Sequence, residues 1–166
     1  MSERMTVLVT GGAGYIGSHM VLALLDAGHT PVIIDDFSTG HEKLVPSGVL
    51  LFRGNVGDSA LVAEICDSHK IDAVAHFAAS IVVPESVADP LKYYVNNTVN
   101  TTRFIAACVD AGIERFVFSS TAAVYGNQDV TPINEDAITQ PENPYGSSKL
   151  MSEMVLRDSA MATDLS

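Results

Sequence analysis

The chain has 166 residues, enough for one domain with a sizeable core, and 47% of them are hydrophobic, too many for a disordered chain. A formal net charge of −11 with no basic block argues against binding to nucleic acid, which needs clustered Lys and Arg. No apolar run approaches the length of a membrane span.

The opening stretch MSERMTVLVT shows no signal-peptide h-region before a cleavage site, and its apolar run is only as long as a strand. A cytoplasmic location is the expectation. Cys66 and Cys108 are isolated and lie on apolar helical patterns, so they read as buried free thiols in a reducing compartment. The five histidines are scattered without metal-ligand spacing, and no metal is expected.

Taken in chain order, MTVLVT (5–10) predicts a first strand. YIGSHMVLALLDAG (15–28) predicts a helix that closes on Gly28. PVIID (31–35) and VLLFRG (49–54) predict strands. DSALVAEICDSHK (58–70) predicts a helix capped by Asp58 or Ser59, with an apolar stripe at Leu61, Val62, Ile65 and Cys66. A fourth strand is expected at AVAHF (73–77). A long helix is expected from about Asp89 to Ala111, with Pro90 in its first turn and Gly112 after its end. RFVFSS (115–120) predicts a fifth strand, and a last helix begins near Asn143–Tyr145. The strand runs are rich in Val, Ile, Leu and Phe, as expected for strands buried on both faces. This alternation predicts an α/β fold, a doubly wound parallel sheet of order 3-2-1-4-5.

VLVTGGAGYIGSH places Gly11, Gly14 and Gly17 between a strand and a helix. Gly11 suits the tight turn, Gly14 a close approach to a pyrophosphate, and Gly17 close packing of helix on sheet. The free N–H groups of the helix start then favour phosphates. A strand–helix turn without a ligand is the alternative. The second strand ends in Asp35-Asp36, about 20 residues on, where a carboxylate can take the ribose hydroxyls of an adenosine. It would repel a 2′-phosphate, and no Arg follows it, although Lys43 is not far away. The favoured cofactor is NAD rather than NADP. A solvated acid at a strand end is the plainer reading.

Tyr145 and Lys149 stand four residues apart in NPYGSSKLMSE, one helical turn from each other. Alone, such a spacing fits an ordinary surface pair. The glycine spacing after Thr10, joined to Tyr145-x-x-x-Lys149, resembles the extended short-chain dehydrogenase/reductase family. HFAAS, PESVADPLKYYVNN and FVFSSTAAVYG strengthen the resemblance, which points within that family to the nucleotide-sugar 4-epimerases. The likeness runs over essentially the whole chain but only the first half of a family member.

The resemblance implies a Rossmann domain over 1–166 that binds NAD. That domain would lack its last strands and a C-terminal substrate region. The implied cofactor residues are Gly11, Gly14, Tyr15, Ile16 and Gly17; Asp35, Asp36, Phe37, Ser38, Thr39 and Gly40; Asn55 and Val56; Phe77, Ala78 and Ala79; Asn96; Ser119; and Tyr145 and Lys149. Asn96 alone also reads as an exposed helix residue or a tie to a neighbouring loop. Two positions depart from the pattern. Asn55 stands where many members have Asp, and Ile81 where some epimerases have a Lys.

The implied catalytic residues are Thr121, Tyr145 and Lys149. A free Tyr titrates near 10, and a cationic Lys one turn away favours its phenolate, so Tyr145 becomes a general base. Thr121 would hydrogen-bond the sugar 4-OH, or simply cap a turn. The expected reaction is 4-epimerisation of a UDP-sugar, UDP-glucose and UDP-galactose being the expected pair, through a 4-keto intermediate. N-acetylated or uronic-acid sugars are alternatives, as is a non-catalytic NAD sensor. Ala122 and Ala123 follow Thr121 where related dehydratases carry an Asp-Glu pair, so no water should be eliminated. The family commonly dimerises through the helices 89–111 and 145–160. Leu91, Tyr94, Val95, Ile105, Leu150, Met151, Met154 and Val155 offer apolar surface there, unless those stripes pack on the sheet. The 166-residue chain alone is expected to be inactive.

Overall fold

Apolar runs of four to six residues need a partner on every side, and a parallel sheet flanked by helices supplies them. The computed structural model describes residues 4–166; residues 1–3, the start of the stretch read for a leader, lie outside it. Its strands are β1 (Thr6–Thr10), β2 (Thr30–Asp35), β3 (Leu50–Arg53), β4 (Ala73–His76) and β5 (Arg115–Phe118). They form one parallel sheet in the order β3-β2-β1-β4-β5, as the alternation predicts. Val9 of β1 lies beside Ile33 of β2 on one side and Ala75 of β4 on the other.

Side-chain alternation along the strands sorts the core into two layers. Leu8, Val32, Ile34 and Val74 point to one face, where α2 (Ser59–His69) adds Val62, Ile65 and Cys66 and the later helix of the fourth crossover adds Phe104 and Cys108. Val7, Val9, Ile33 and Ala75 point to the other, covered by Val21, Met20 and Leu24 of α1 (Tyr15–Asp26). Cys66 and Cys108 are free and buried, and burial pushes both thiols up.

The expectation that every strand is buried on both faces holds for β1, β2 and β4 and fails at the edges. β3 and β5 hold no fully buried residue, and Val117 is 61% exposed, because an edge strand has one neighbour rather than two. On the outer side of β5, Ser166 N–H donates to the Glu114 carbonyl (2.7 Å) and Phe116 N–H donates to the Ser166 carbonyl (2.9 Å). That alternation is how one residue of a parallel neighbour bonds.

The fourth crossover also departs from the single helix predicted. A short helix, α3 (Val83–Ala88), precedes it, signalled by Pro84 in its first turn. The rod that follows is α4 (Pro90–Tyr93), a π-helical turn (Tyr94–Val99) and α5 (Asn100–Asp110). The wider turn carries an extra residue per hydrogen-bond ring, which turns Asn97 inward. Ile105, read either as apolar surface for a dimer or as packing within the fold, takes the second course and is buried. α6 (Pro144–Ala162) lies against the π turn and α3. No helix among the described residues is long and apolar enough to cross a membrane.

The two ends of α2 make opposite predictions. Asp58 caps it by accepting from Leu61 N–H (3.1 Å), while Lys70 closes it in the left-handed region at φ 48. Asp58→Ala should cost about 1 kcal/mol. Lys70→Gly should gain roughly 0.5–1 kcal/mol, since Gly meets no Cβ penalty there. Urea unfolding of the 166-residue chain, with an unchanged m-value, checks both.

Candidate active site

A cleft of about 960 Å³ runs along the carboxyl ends of the strands. Its floor is the glycine loop. Gly11 adopts φ +66, and a Cβ at Gly17 would stand 2.1 Å from the Gly11 carbonyl oxygen. Only hydrogen fits between α1 and the turn, so the helix start is pressed against the loop. Gly14 is the N-cap of α1 and supplies no side chain to its first N–H groups. Those donors are left to whatever occupies the cleft. Tyr15 and Ile16 stand exposed at its mouth.

The two acids at the end of β2 divide their work. Asp35 is buried, with Oδ2 accepting from Ala13 N–H (2.9 Å) and Oδ1 from Phe37 N–H (2.8 Å). Each oxygen keeps a second lone pair, and Asp35 lines the cleft. Asp36 is exposed and accepts from Ser38 N–H (2.9 Å) and the Asn55 amide (2.9 Å). Partial burial pushes its carboxyl up, but these hydrogen bonds outweigh it and hold the group below its ordinary value. Ser38, Thr39, Gly40, Asn55 and Val56 line the same end. Phe37 does not. Its backbone is left-handed at φ 58, and its ring lies 4.0 Å from the Arg53 guanidinium carbon.

Beyond β4, the loop of Phe77, Ala78 and Ala79 forms the opposite wall. It is held by Thr10, whose Oγ1 accepts from Phe77 N–H and Ala78 N–H, each at 3.1 Å. Both lone pairs of that oxygen are thus used, so its proton goes to His76 Nδ1, 2.6 Å away. The proton of His76 is then on Nε2, donated to Thr101 Oγ1 (3.0 Å). Burial and the nearby Lys149 charge push the imidazole down to about 3, so it stays neutral.

Asn96 and Asn97 tie the π turn to this wall. The Asn96 amide donates to Ser80 Oγ (3.1 Å) and also lines the cleft. Asn97 is buried. It accepts from Ser80 N–H (2.8 Å) and donates to the Ser80 carbonyl (2.9 Å) and to Ser148 Oγ (3.1 Å). The Asn96 tie was one of its sequence readings. Asn97 was missed, though a second Asn in an apolar helical pattern was the available signal.

Asn143 caps α6 by accepting from Gly146 N–H (2.9 Å), which sets the helix phase and brings Tyr145 and Lys149 to the cleft. Lys149 is 3% exposed, with Nζ 4.4 Å from the centre of the Phe118 ring. Among the described residues it forms no ion pair. Burial lowers its amine to about 8, against the pull of the Glu153 charge, which raises it. Tyr145 meets the Tyr93 ring edge-on, centroids 6.4 Å apart. Tyr93 cannot be the base: burial and the Glu85 carboxylate push its hydroxyl up to about 12, and Val82 N–H already donates to it (2.9 Å).

Ser119 and Ser120 line the cleft between these residues and the glycine loop. Thr121, expected to be catalytic, follows them in the chain but does not itself line the cleft. Its Oγ1 accepts from Ala123 N–H (3.2 Å) and starts a 3-10 turn (Ala122–Tyr125), which leaves its own proton free to donate. Glu85 and Lys92 also line the cleft, paired at 2.5 Å. The sequence reading did not select them, and only their place in a helix beside the pocket signals them.

The chain matches the NAD dependent epimerase/dehydratase family over residues 7–166. It is 56% identical over 159 residues to a UDP-glucose 4-epimerase of Azospirillum brasilense, covering 96% of this chain and 46% of that protein. Against a UDP-glucose 4-epimerase of Lactobacillus helveticus it is 47% identical over 152 residues, 92% of this chain and 46% of that protein. The crystal structure of UDP-glucose 4-epimerase from Brucella ovis in complex with NAD superimposes with a TM-score of 0.94 at 42% identity, over 97% of this chain and 49% of that one. The Thermus thermophilus UDP-glucose 4-epimerase complex with NAD gives 0.93 at 36% identity, over 97% and 52%. The chain spans about half the length of the curated relatives it matches. With its glycine loop, strand order and Tyr–Lys helix, the chain belongs to the NAD dependent epimerase/dehydratase family.

Proposed function

We propose that this chain is the NAD-binding half of a nucleotide-sugar 4-epimerase, acting on a UDP-sugar such as UDP-glucose or UDP-galactose. One observation carries the reading: Tyr145 and Lys149 share a helix face at the cleft, with Lys149 buried against it. The residues present suit the cofactor. The Gly11–Gly17 contact leaves no room for a side chain under a pyrophosphate, and Asp35 and Asp36 offer lone pairs for ribose hydroxyls. Among the described residues no arginine lines the cleft for a 2′-phosphate.

NAD, when bound, supplies a site that accepts a hydride from sugar C4 and returns it. The chain's own residues manage the proton. Tyr145 takes it from the 4-OH as C–H cleavage proceeds, and gives it back when the 4-keto sugar is reduced on its other face. Lys149 stabilises the phenolate while its own ammonium is charged, below about pH 8. Thr121 is assigned a hydrogen bond to the sugar 4-OH through its hydroxyl. Ala122 and Ala123 carry no acid or base, so the reaction stops at oxidation and re-reduction.

The full cycle belongs, on this reading, to a longer protein. The chain spans about half the length of the relatives it matches, and β5 is an edge strand with Val117 exposed. Leu91, Val95, Met151 and Met154 are exposed on the rod and α6, and we assign them to a homodimer interface of that longer protein. Light scattering should give twice the chain mass; a monomer at micromolar concentration would count against the interface.

In a protein extended to the length of its relatives, Tyr145→Phe should lower kcat by about 10²–10⁴-fold while NAD stays bound. UDP-galactose conversion with separation of the sugar products measures it, and parallel assays with N-acetylated and uronic-acid sugars identify the preferred pair. Unchanged epimerisation would overturn the assignment of Tyr145. Residues 1–166 alone, given NAD, should bind it weakly and show no turnover. Rates within tenfold of roughly 1–10 per second would overturn that.

A further inference from the structure

The helix that carries Tyr145 and Lys149 holds one more charged group on the same face. Glu153 lies one turn beyond Lys149, as Lys149 lies one turn beyond Tyr145. It is half-buried, and its carboxylate accepts the hydrogen bond of Ser120 Oγ. Ser120 lines the cleft and directly precedes Thr121. One carboxylate thus joins the helix of the Tyr–Lys pair to the loop of the third hydroxyl residue.

We propose that Glu153 is a positioning residue: it anchors the Ser120–Thr121 loop to α6 and keeps the Lys149 ammonium charged. The Ser120 bond fixes where the loop leaves β5, and with it the Thr121 hydroxyl. The charge matters because burial works against a cation, and besides the face of the Phe118 ring, which attracts one, Glu153 is the nearby group that favours it. Lys149 rests on the Phe118 ring from β5, and beneath that ring His76 of β4 is neutral, stacked at 5.7 Å. From α3 and α4, Glu85 is already paired with Lys92 and hydrogen-bonded to Tyr93. Tyr94 in the π turn and Tyr125 in the 3-10 turn bring hydroxyls rather than charges, and Arg103 on α5 is exposed to solvent. Tyr145 shares the helix face. Among the described residues, Glu153 is left as the carboxylate on that face whose charge is not engaged by another cation.

Four lysines, Lys43, Lys70, Lys92 and Lys149, make the test direct, since each side chain can be followed by NMR in lysine-labelled 166-residue chain. Lys149 should titrate near 8. Glu153→Gln should move that midpoint down by about one pH unit, the scale of one nearby charge. Glu153→Asp, a fallback should the first variant fold poorly, keeps the charge and should move it less. Ser120→Ala keeps the carboxylate and should leave the midpoint in place, while amide exchange at Ala122 and Ala123 quickens. The proposal falls if Glu153→Gln leaves Lys149 unmoved, or if Ser120→Ala moves it equally. In the longer protein, and resting on the epimerase reading, the alkaline limb of kcat should shift down with Glu153→Gln. The NMR titration needs no turnover, so it stands or fails apart from that reading.

Discussion

The buried amide of Asn97 is the joint on which the site depends. It binds the loop after β4 through both polar groups of Ser80, and it binds α6 through Ser148, next to Lys149. A buried amide left without partners costs about 1–3 kcal/mol, so these segments are held together by the penalty of separation as much as by attraction. Serine and threonine hydroxyls complete the joint: Ser152 donates to the Asn97 carbonyl (2.9 Å), and Thr98 donates to the Ser148 carbonyl (3.0 Å). The π turn is what aims Asn97 inward, so a local irregularity in one helix fixes the distance between the cofactor wall and the Tyr–Lys helix.

Charge is placed under similar constraint. The chain is strongly acidic, yet its cleft end holds a lysine that is almost fully buried. Burial alone would favour the neutral amine. The neighbouring imidazole cannot add a second positive charge, because Thr10 already uses its lone pairs on the Phe77 and Ala78 amides and must donate to Nδ1. Protonating His76 would break that chain and loosen the loop. A single hydroxyl in β1 therefore shapes the cofactor wall and fixes the tautomer of an imidazole that burial and the Lys149 charge keep neutral.

The strand order, the glycine turn and the helix of Tyr145 were legible because each rests on local pattern: apolar runs, glycines at fixed spacing, an Asn143-Pro144 start. Edge exposure was not, because β3 and β5 carry the same apolar composition as the central strands and differ only in neighbours. Nor was the π turn, since its hydrogen bonds shift by one residue without a Gly or Pro to mark them. Which of its two readings Ile105 would take was hidden for the same reason, since the inserted residue breaks the continuous 3.6-residue count along the rod. Phe37 was grouped with the cofactor residues by the family resemblance, yet it does not line the cleft, and its ring lies against Arg53. Glu153 showed no local motif, and its contact is with a residue 33 positions away.

The strand made first sits in the middle of the sheet. β1 needs β2 on one side and β4 on the other, and the Thr10–His76 bond spans 66 residues. During synthesis Leu8 and Val9 must wait through the emergence of two helices and two further strands before their second neighbour, β4, exists. Folding of this chain is therefore governed by closing long loops, which is slow, and it cannot finish strand by strand from the ribosome. The unit of β1, α1 and β2 is the one early piece that closes locally, and it is also the piece that builds the glycine turn.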